Sequence, residues 1–227
     1  GSVCGYCDAA FPVCQDGACV PYCPTCHREG TVLAPEGSIP VQGALVWATQ
    51  TPPAEFPDGV FCDTCVDLPK EIPFGISKAD GRFLIPIPTA GEWYLVVQKG
   101  TFRRIRKLTV TAGDNELPKE LTTLPGASDP SNGDEIPKMA VVIDSFDQIE
   151  NTLAKLGLGK LDSFGYLEPS TANYDLIDES DAAEFFSEPA NLAKYQIIFM
   201  PCSTEWFFPA LDDAAVKGAV RDWVFAG

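Results

Sequence analysis

The hydrophobic pattern divides the chain into two different parts. From Gly30 to about Leu124, short runs of β-branched and aromatic residues, such as 82–87 and 92–97, are separated by turn residues. Strands of this length and spacing predict an all-β sandwich or barrel. After Lys138 the runs become continuously apolar, which is typical of strands buried on both faces of a parallel sheet.

The second part predicts a partial α/β domain with a parallel, flavodoxin-like sheet. The predicted elements are strands at 139–143, 174–177 and 195–200, and helices at 148–156 and from the Asp212-Asp213 cap to Phe225. Three strands leave a sheet edge unpaired. We therefore expect that further chain sequence, a second copy of the chain or another protein covers that edge.

Turn residues predict the connections. Asp80-Gly81 and Ala90-Gly91 each predict a reversal between antiparallel neighbours. Residues 125–137 are almost wholly polar and turn-forming, which predicts an interdomain linker. The expected organisation is a cysteine-rich head at 1–28, a β-sandwich at 29–124, the linker at 125–137 and the α/β domain at 138–227.

Nine cysteines are distributed unevenly. The head contains too few large aliphatic residues to form a core, so it requires cross-links or metal. An even set of eight cysteines predicts disulfides formed in an oxidising compartment, with Cys202 free. The disulfide candidates are Cys4, Cys7, Cys14, Cys19, Cys23, Cys26, Cys62 and Cys65.

Three other uses of these cysteines remain open. Cys4-x-x-Cys7 and Cys23-x-x-Cys26 have a spacing that fits structural zinc. Cys23-Pro-Thr-Cys26-His27 spells the c-type haem attachment motif, with thiols for the vinyl groups and an imidazole for the iron. Cys62-Asp-Thr-Cys65 could be a redox pair, although its Pro-rich surroundings favour a structural bond. The favoured interpretation is disulfides, with no metal and no cofactor.

The carboxyl ends of the predicted parallel strands are candidates for a ligand crevice, because open α/β sheets bind ligands there. The predicted crevice residues are Asp144, Ser145, Cys202, Ser203 and Glu205, with Asp147 beside them. A nucleophilic cysteine needs a histidine partner, and this part of the chain has no histidine. We therefore assign no catalytic residues. Helix capping is an alternative explanation for the aspartates.

Charge and hydropathy exclude several classes of partner. The formal net charge of −16 repels nucleic acids, and no apolar run is long enough to span a membrane. Residues 99–107 form one basic run, which predicts either a charge-protected edge strand or a docking face for acidic groups of a partner or of the protein itself.

The β-rich part resembles the carboxypeptidase regulatory-like family of transthyretin-like, or prealbumin-like, β-sandwiches. The similarity is carried by Gly30–Val32, Ile39–Val46, Ser77–Phe83, Pro88–Tyr94 and Leu108–Gly113. Residues 52–73 are an insertion relative to that pattern. The resemblance implies a binding or spacer role without catalytic residues.

The last part resembles the class I glutamine amidotransferase-like superfamily through Lys194–Pro201. By that resemblance the nucleophile elbow would lie beyond Gly227. We expect an exported, extracytoplasmic protein of the cell surface or extracellular space, acting through non-catalytic binding or scaffolding modules. The alternatives are part of an amidotransferase-like hydrolase or a monohaem electron-transfer protein.

Overall fold

A computed structural model describes residues 26–60, 66, 68–113, 115–202 and 212–227, and the backbone alone of 13–15 and 18–20. The chain divides into two compact units. The sandwich unit comprises residues up to 54, 67–125 and 129–134, and the α/β unit comprises 55–66, 126–128 and 135–227. None of the helices in the described part of the chain has the length and apolar character needed to cross a bilayer.

The sandwich unit contains two sheets. Their strand orders are β10-β8-β7-β4-β5 and β6-β3-β9, and a separate hairpin joins β1 and β2. The strands are β1 Val13–Gln15, β2 Ala18–Val20, β3 His27–Thr31, β4 Leu45–Thr49, β5 Phe74–Ile76, β6 Arg82–Pro86, β7 Gly91–Lys99, β8 Phe102–Val110, β9 Asn115–Glu116 and β10 Asp134–Glu135, with helix α1 at Lys119–Thr122.

The two larger sheets bury their inward-facing residues in one core. Val46 of β4 and Leu95 of β7 pack in the same cluster as Phe83 of β6. Alternate residues of β6 are buried, as a strand with one face on a core requires. The predicted β-rich half with sandwich-like packing is therefore present, whereas the prealbumin-like topology stays a prediction.

Both predicted reversals are present, but each connects strands of different sheets, so the strands that they join are not hydrogen-bonded to each other as antiparallel neighbours. The Asp80-Gly81 turn joins β5 to β6, and Gly91 begins β7 after β6, yet β6 pairs with β3 in the other sheet. Gly81 has φ +76°, and a Cβ there would lie 2.5 Å from the carbonyl oxygen of Val32. The turn chemistry is thus correct, but the core determines which strands pair.

The predicted linker contains ordered structure. Residues 129–134 belong to the sandwich unit, and β10 pairs with β8 at the edge of the larger sheet. The predicted head also differs at its end, because His27 and Arg28 are the first residues of β3. The buried Arg28 guanidinium donates to the carbonyl oxygens of Thr111 and Gly113, at 2.8 and 3.0 Å.

The α/β unit has a three-stranded parallel sheet in the order β12-β11-β13, as the apolar runs predicted. Its elements are β11 Met139–Val142, α2 Ile149–Leu153, a π-helical turn at Ala154–Leu158, β12 Asp175–Ile177, α3 Ala182–Ser187, α4 Pro189–Leu192, β13 Ile197–Phe199 and α5 Ala214–Ala226. Short 3₁₀ turns lie at Pro130–Asn132, Pro169–Thr171 and Glu179–Asp181. The predicted cap is confirmed, since the Asp213 side chain accepts the N–H groups of Ala215 and Val216.

All four residues of β11 are buried. Ala140 and Val142 pack in a cluster with Phe185, Phe186 and Val216, from the helices that follow the strands. Their neighbours in β11 point to the opposite face of the sheet, because side chains alternate along a strand. The double-sided burial explains why this strand has no polar position.

Glu150 in the first turn of α2 is a buried carboxylate, 9% exposed, whose Oε2 has no hydrogen-bond partner among the described residues. Burial raises its pKa. Burial and the nearby Glu150 charge also raise the pKa of Tyr174 to about 12. The ionised form of Glu150 is therefore disfavoured in the folded state.

We expect Glu150→Met to raise the free energy of unfolding by about 1 kcal/mol at neutral pH, because a poorly solvated charge is removed. The folded pKa lies above the unfolded value. The cost of wild-type Glu150 is therefore absent below the unfolded pKa, grows as pH rises above that value, and is complete above the folded pKa. Thermal unfolding at pH 4 and pH 7 measures this. Glu184→Met, at an exposed first-turn position of α3, is the control, and an equal gain there would contradict the explanation.

A segment from the predicted insertion forms part of the α/β unit. The Val60 N–H donates to the Ala193 carbonyl at 3.3 Å, and Gln196 Nε2 donates to the Gly59 carbonyl at 2.8 Å. Gly59 has φ +76° and approaches the Ala193 carbonyl closely. Gly59 and Val60 therefore contact the chain immediately before β13.

Candidate functional site

The parallel sheet brings the predicted crevice residues to the carboxyl ends of its strands. Because β11 and β13 are parallel neighbours, the residues that follow them leave the sheet on the same side. Asp144 and Ser145 follow β11, and Cys202 follows β13. Ser203 and Glu205, and the aromatic residues after them, lie outside the described residues.

Asp147 connects the loop that follows β11 to the loop that follows β13. Its Oδ2 accepts the backbone N–H of Cys202 at 2.7 Å. This bond connects residues 55 positions apart in the chain. It defines the position of the loop that leaves β13, close to the end of that strand.

Asp144 is buried and stabilises the turn that leaves β11. Its Oδ1 accepts the N–H of Phe146 at 2.8 Å, and the Ser145 hydroxyl lies 3.4 Å away. The N-cap residue of α2 is Gln148, whose side chain makes no capping bond. The predicted capping role therefore applies to the turn rather than to the helix.

Cys202 is an exposed, free cysteine. The only histidine of the chain, His27, lies in β3 of the sandwich unit. The α/β unit thus supplies no imidazole to activate this thiol. In the described residues, no three histidine, cysteine, aspartate or glutamate side chains come together as metal ligands.

Apolar side chains are exposed at the two joined loops. Phe146 is 68% exposed and Met200 is 45% exposed. Each belongs to a loop that Asp147 holds in place. The surface beside the end of β13 therefore combines apolar groups with carboxylates, a combination suited to contacts with a protein.

The outer edge of β13 is open in the described residues, since no strand among them pairs with that side. The Ile197 N–H points to the Lys138 carbonyl on the β11 side, at 3.4 Å. Backbone groups alternate in direction along a strand, so the N–H and C=O of Ile198 point outward. Ile197, Ile198 and Phe199 are each half-buried.

The other edge of this sheet carries charge. Asp175 in β12 accepts the Tyr195 hydroxyl at 2.7 Å and lies 3.8 Å from Lys138 Nζ. Burial, with the Asp175 hydrogen bond and charge, raises the pKa of Tyr195. Charged residues protect edge strands from pairing, and β13 has none. Of the two edges, β13 is the one suited to accept another strand.

The basic run of the sandwich is largely satisfied within the protein. Arg104 binds both oxygens of Asp134, at 2.8 and 2.9 Å, and Arg106 binds one of them at 2.7 Å. Burial alone would raise the pKa of Asp134, but the hydrogen bonds and charges of the two arginines outweigh it and lower that pKa. Of the two predicted interpretations, docking onto the protein's own acidic group describes these two arginines.

The cysteine predictions are mostly beyond the described residues. Cys26 is a half-cystine, 1% exposed in the sandwich core. The backbone register places Cys14 opposite Cys19. The other disulfide candidates, Cys4, Cys7, Cys23, Cys62 and Cys65, lie outside the described residues. The four-disulfide scheme therefore stays a prediction. The zinc and haem alternatives both use Cys26, and a cysteine in a disulfide supplies neither a thiolate ligand nor a thioether to haem.

No protein-family model matches the chain, and no curated protein matches it. Solved structures that are similar to part of it include two from Acetivibrio cellulolyticus. One is a C-terminal interface mutant of a type II cohesin–X-dockerin complex, with 14% identity, a TM-score of 0.29, and coverage of 43% of this chain and 56% of that one. The other is an N-terminal interface mutant of that complex, with 15% identity, a TM-score of 0.30, and coverage of 58% and 83%.

Proposed function

We propose that this chain is a non-catalytic binding module of an exported protein, and that its α/β unit binds an extended segment of a protein partner along the outer edge of β13. The observation that carries the proposal is that no described strand pairs with the outer side of β13. This side offers the outward backbone groups of Ile198 without any charged residue to prevent pairing. Main-chain hydrogen bonds to such an edge are a recurring mode of peptide recognition.

The surroundings of β13 support the proposal. Apolar side chains are half-buried along the strand, and Met200 and Phe146 are exposed just beyond its end. A bound strand would cover these groups. The half-cystine at Cys26 supports export, because disulfides persist in oxidising compartments. The sandwich unit then serves as a spacer or second binding module.

The partner is proposed to be a different protein rather than a second copy. Nineteen acidic and six basic residues give the α/β unit a net charge of −13, out of −16 for the whole chain. Two copies meeting along β13 would bring these like charges together. Sedimentation velocity over a range of concentrations tests this choice, and a dimer that Ile198→Pro abolishes would contradict it.

The experiment uses a dye-labelled peptide of alternating valine and threonine with neutral ends, titrated against the full chain by fluorescence anisotropy. A peptide of the same length made of proline alone cannot donate to the edge in either register, because none of its residues has a backbone N–H. We expect the first peptide to bind and the proline peptide to bind at least about tenfold more weakly. Absence of binding, or equal binding of both, would overturn the proposal.

A protein variant gives an independent arm of the test. Ile198→Pro removes the outward N–H, whereas Ile198→Val keeps it and makes a similar change in the core. We expect the proline variant to lose peptide binding and the valine variant to keep it. Circular dichroism and thermal unfolding verify that each variant is folded, and the comparison between peptides holds even if the proline variant does not fold.

A further inference from the structure

Electrostatic polarity runs along β13 and bears on which way a partner strand lies. This inference rests on the proposed function. Lys138 directly precedes β11 and Lys194 lies three residues before β13, both at the amino-terminal ends of the strands. Asp175 lies 3.8 Å from Lys138 Nζ and offsets part of the Lys138 charge, whereas Lys194 adds a second positive charge. Asp144 and Asp147 follow β11 at the carboxyl ends of the strands. A strand paired with β13 would therefore run from a basic end of the sheet to an acidic end.

The final helix adds to the same polarity. Asp212 and Asp213 lie at its beginning, and near its end Trp223 Nε1 donates to the carbonyl of Tyr195, just before β13. The helix therefore begins near the acidic end of the sheet and runs back toward the basic end. Lys217 Nζ lies 3.0 Å from Asp212 Oδ1 and offsets one of these charges, and the N-terminal dipole adds the equivalent of about half a positive charge. Together with Asp144 and Asp147, the carboxylates at this end still outnumber the positive groups.

The apolar strand and this polarity together define the partner's chemistry. We infer that β13 binds an apolar strand carrying a basic residue at the end that lies beside Cys202, and that this charge, rather than the chain direction of the strand, selects its orientation. Lys194 Nζ donates to the neutral Asn191 side chain at 3.2 Å, a contact that does not cancel its charge. Complementary charges fix orientation and register more than they add affinity.

Cys202 allows a direct test, because it is exposed and free. We would attach a nitroxide to Cys202 of the full chain under non-reducing conditions and verify single labelling by mass. Two alternating valine–threonine peptides are compared, one with glutamate at its amino end and lysine at its carboxyl end, and one with these ends exchanged. Isotope-labelled lysine and glutamate side chains report paramagnetic broadening.

The expected result is that the lysine end is broadened more than the glutamate end in both peptides. Broadening of the same chain terminus in both peptides, or equal broadening of both ends, would overturn the inference while leaving the proposed function intact. If neither these peptides nor the neutral peptide bind, the proposed function fails and this inference fails with it.

A pair of charge variants adds a second readout. Asp212→Lys reverses a charge at the acidic end of the sheet, whereas Asp222→Lys makes the same change near the opposite end of the helix. We expect the first to weaken binding of the peptide with a carboxyl-terminal lysine by about threefold at low salt, and the second to leave it within about 1.5-fold. Equal effects of both variants would contradict selection by local charge.

Discussion

Replacing Trp223 with alanine is expected to lower the free energy of unfolding of the α/β unit by about 3 kcal/mol. Trp223 packs against the cluster that contains Phe186 and Leu192. Its Nε1 donates to the Tyr195 carbonyl at 3.0 Å. The alanine variant loses both the apolar contact and this hydrogen bond, which anchor the end of α5 to the chain before β13.

Two variants separate these contributions. Trp223→Phe keeps most of the apolar contact and loses the hydrogen bond, so we expect a loss of about 1 kcal/mol. Phe225→Ala, at an exposed position on the same helix, should change stability by less than about 0.5 kcal/mol. Calorimetry of the full chain measures all three, and a Trp223→Ala loss no larger than that of Phe225→Ala would show that α5 is not anchored there.

Asp134→Asn is expected to destabilise the sandwich unit by about 3 kcal/mol. The change leaves two largely buried arginines without their anion, and such losses cost about 3–5 kcal/mol. The low end applies because the three side chains keep 13–25% of their exposure. Asp80→Asn is the matched control, since its contact with Arg82 is 3.9 Å long and exposed and should contribute less than about 0.5 kcal/mol.

The effect of Asp134 has a defined pH dependence. Its pKa is lowered in the folded state, so its contribution is present above the unfolded pKa and is lost as pH falls through the folded pKa. The difference between wild type and Asp134→Asn should therefore be full at pH 6 and shrink below the unfolded value of about 4. Calorimetric unfolding across that range measures it, and a difference that does not change with pH would contradict the ion-pair explanation.

Features that depend on local pattern could be predicted from the sequence. The run Met139–Val142 is wholly apolar because β11 is covered on both faces, so it could be read without knowing its neighbours. The Asp213 cap is equally local, since the acceptor and the N–H groups it binds are within three residues. The hydrophobic period therefore sufficed for the strands and final helix of the α/β unit.

Features that depend on distant partners could not be predicted. Residues 129–135 have the composition of a flexible linker. Asp134 is nevertheless held against the sheet by Arg104 and Arg106, which lie 30 and 28 positions earlier in the chain. For the candidate site, the sequence predicted that Asp144 and Cys202 lie on the same side of the sheet, because parallel strands have their carboxyl ends on one side. Two features depend on strand order, which the apolar runs do not encode: the bond between Asp147 and the Cys202 N–H, and the outer side of β13 with which no described strand pairs.

The central claim, that β13 is a docking edge, is tested most directly by amide hydrogen exchange at Ile198. The N–H of this residue points away from β11, so in the free protein it should exchange much faster than the Ile197 N–H. Saturation with the neutral valine–threonine peptide should slow Ile198 exchange by at least about tenfold and leave Ile177 of β12 unchanged. Strong protection of Ile198 in the free protein, or no change on adding the peptide, would contradict the claim.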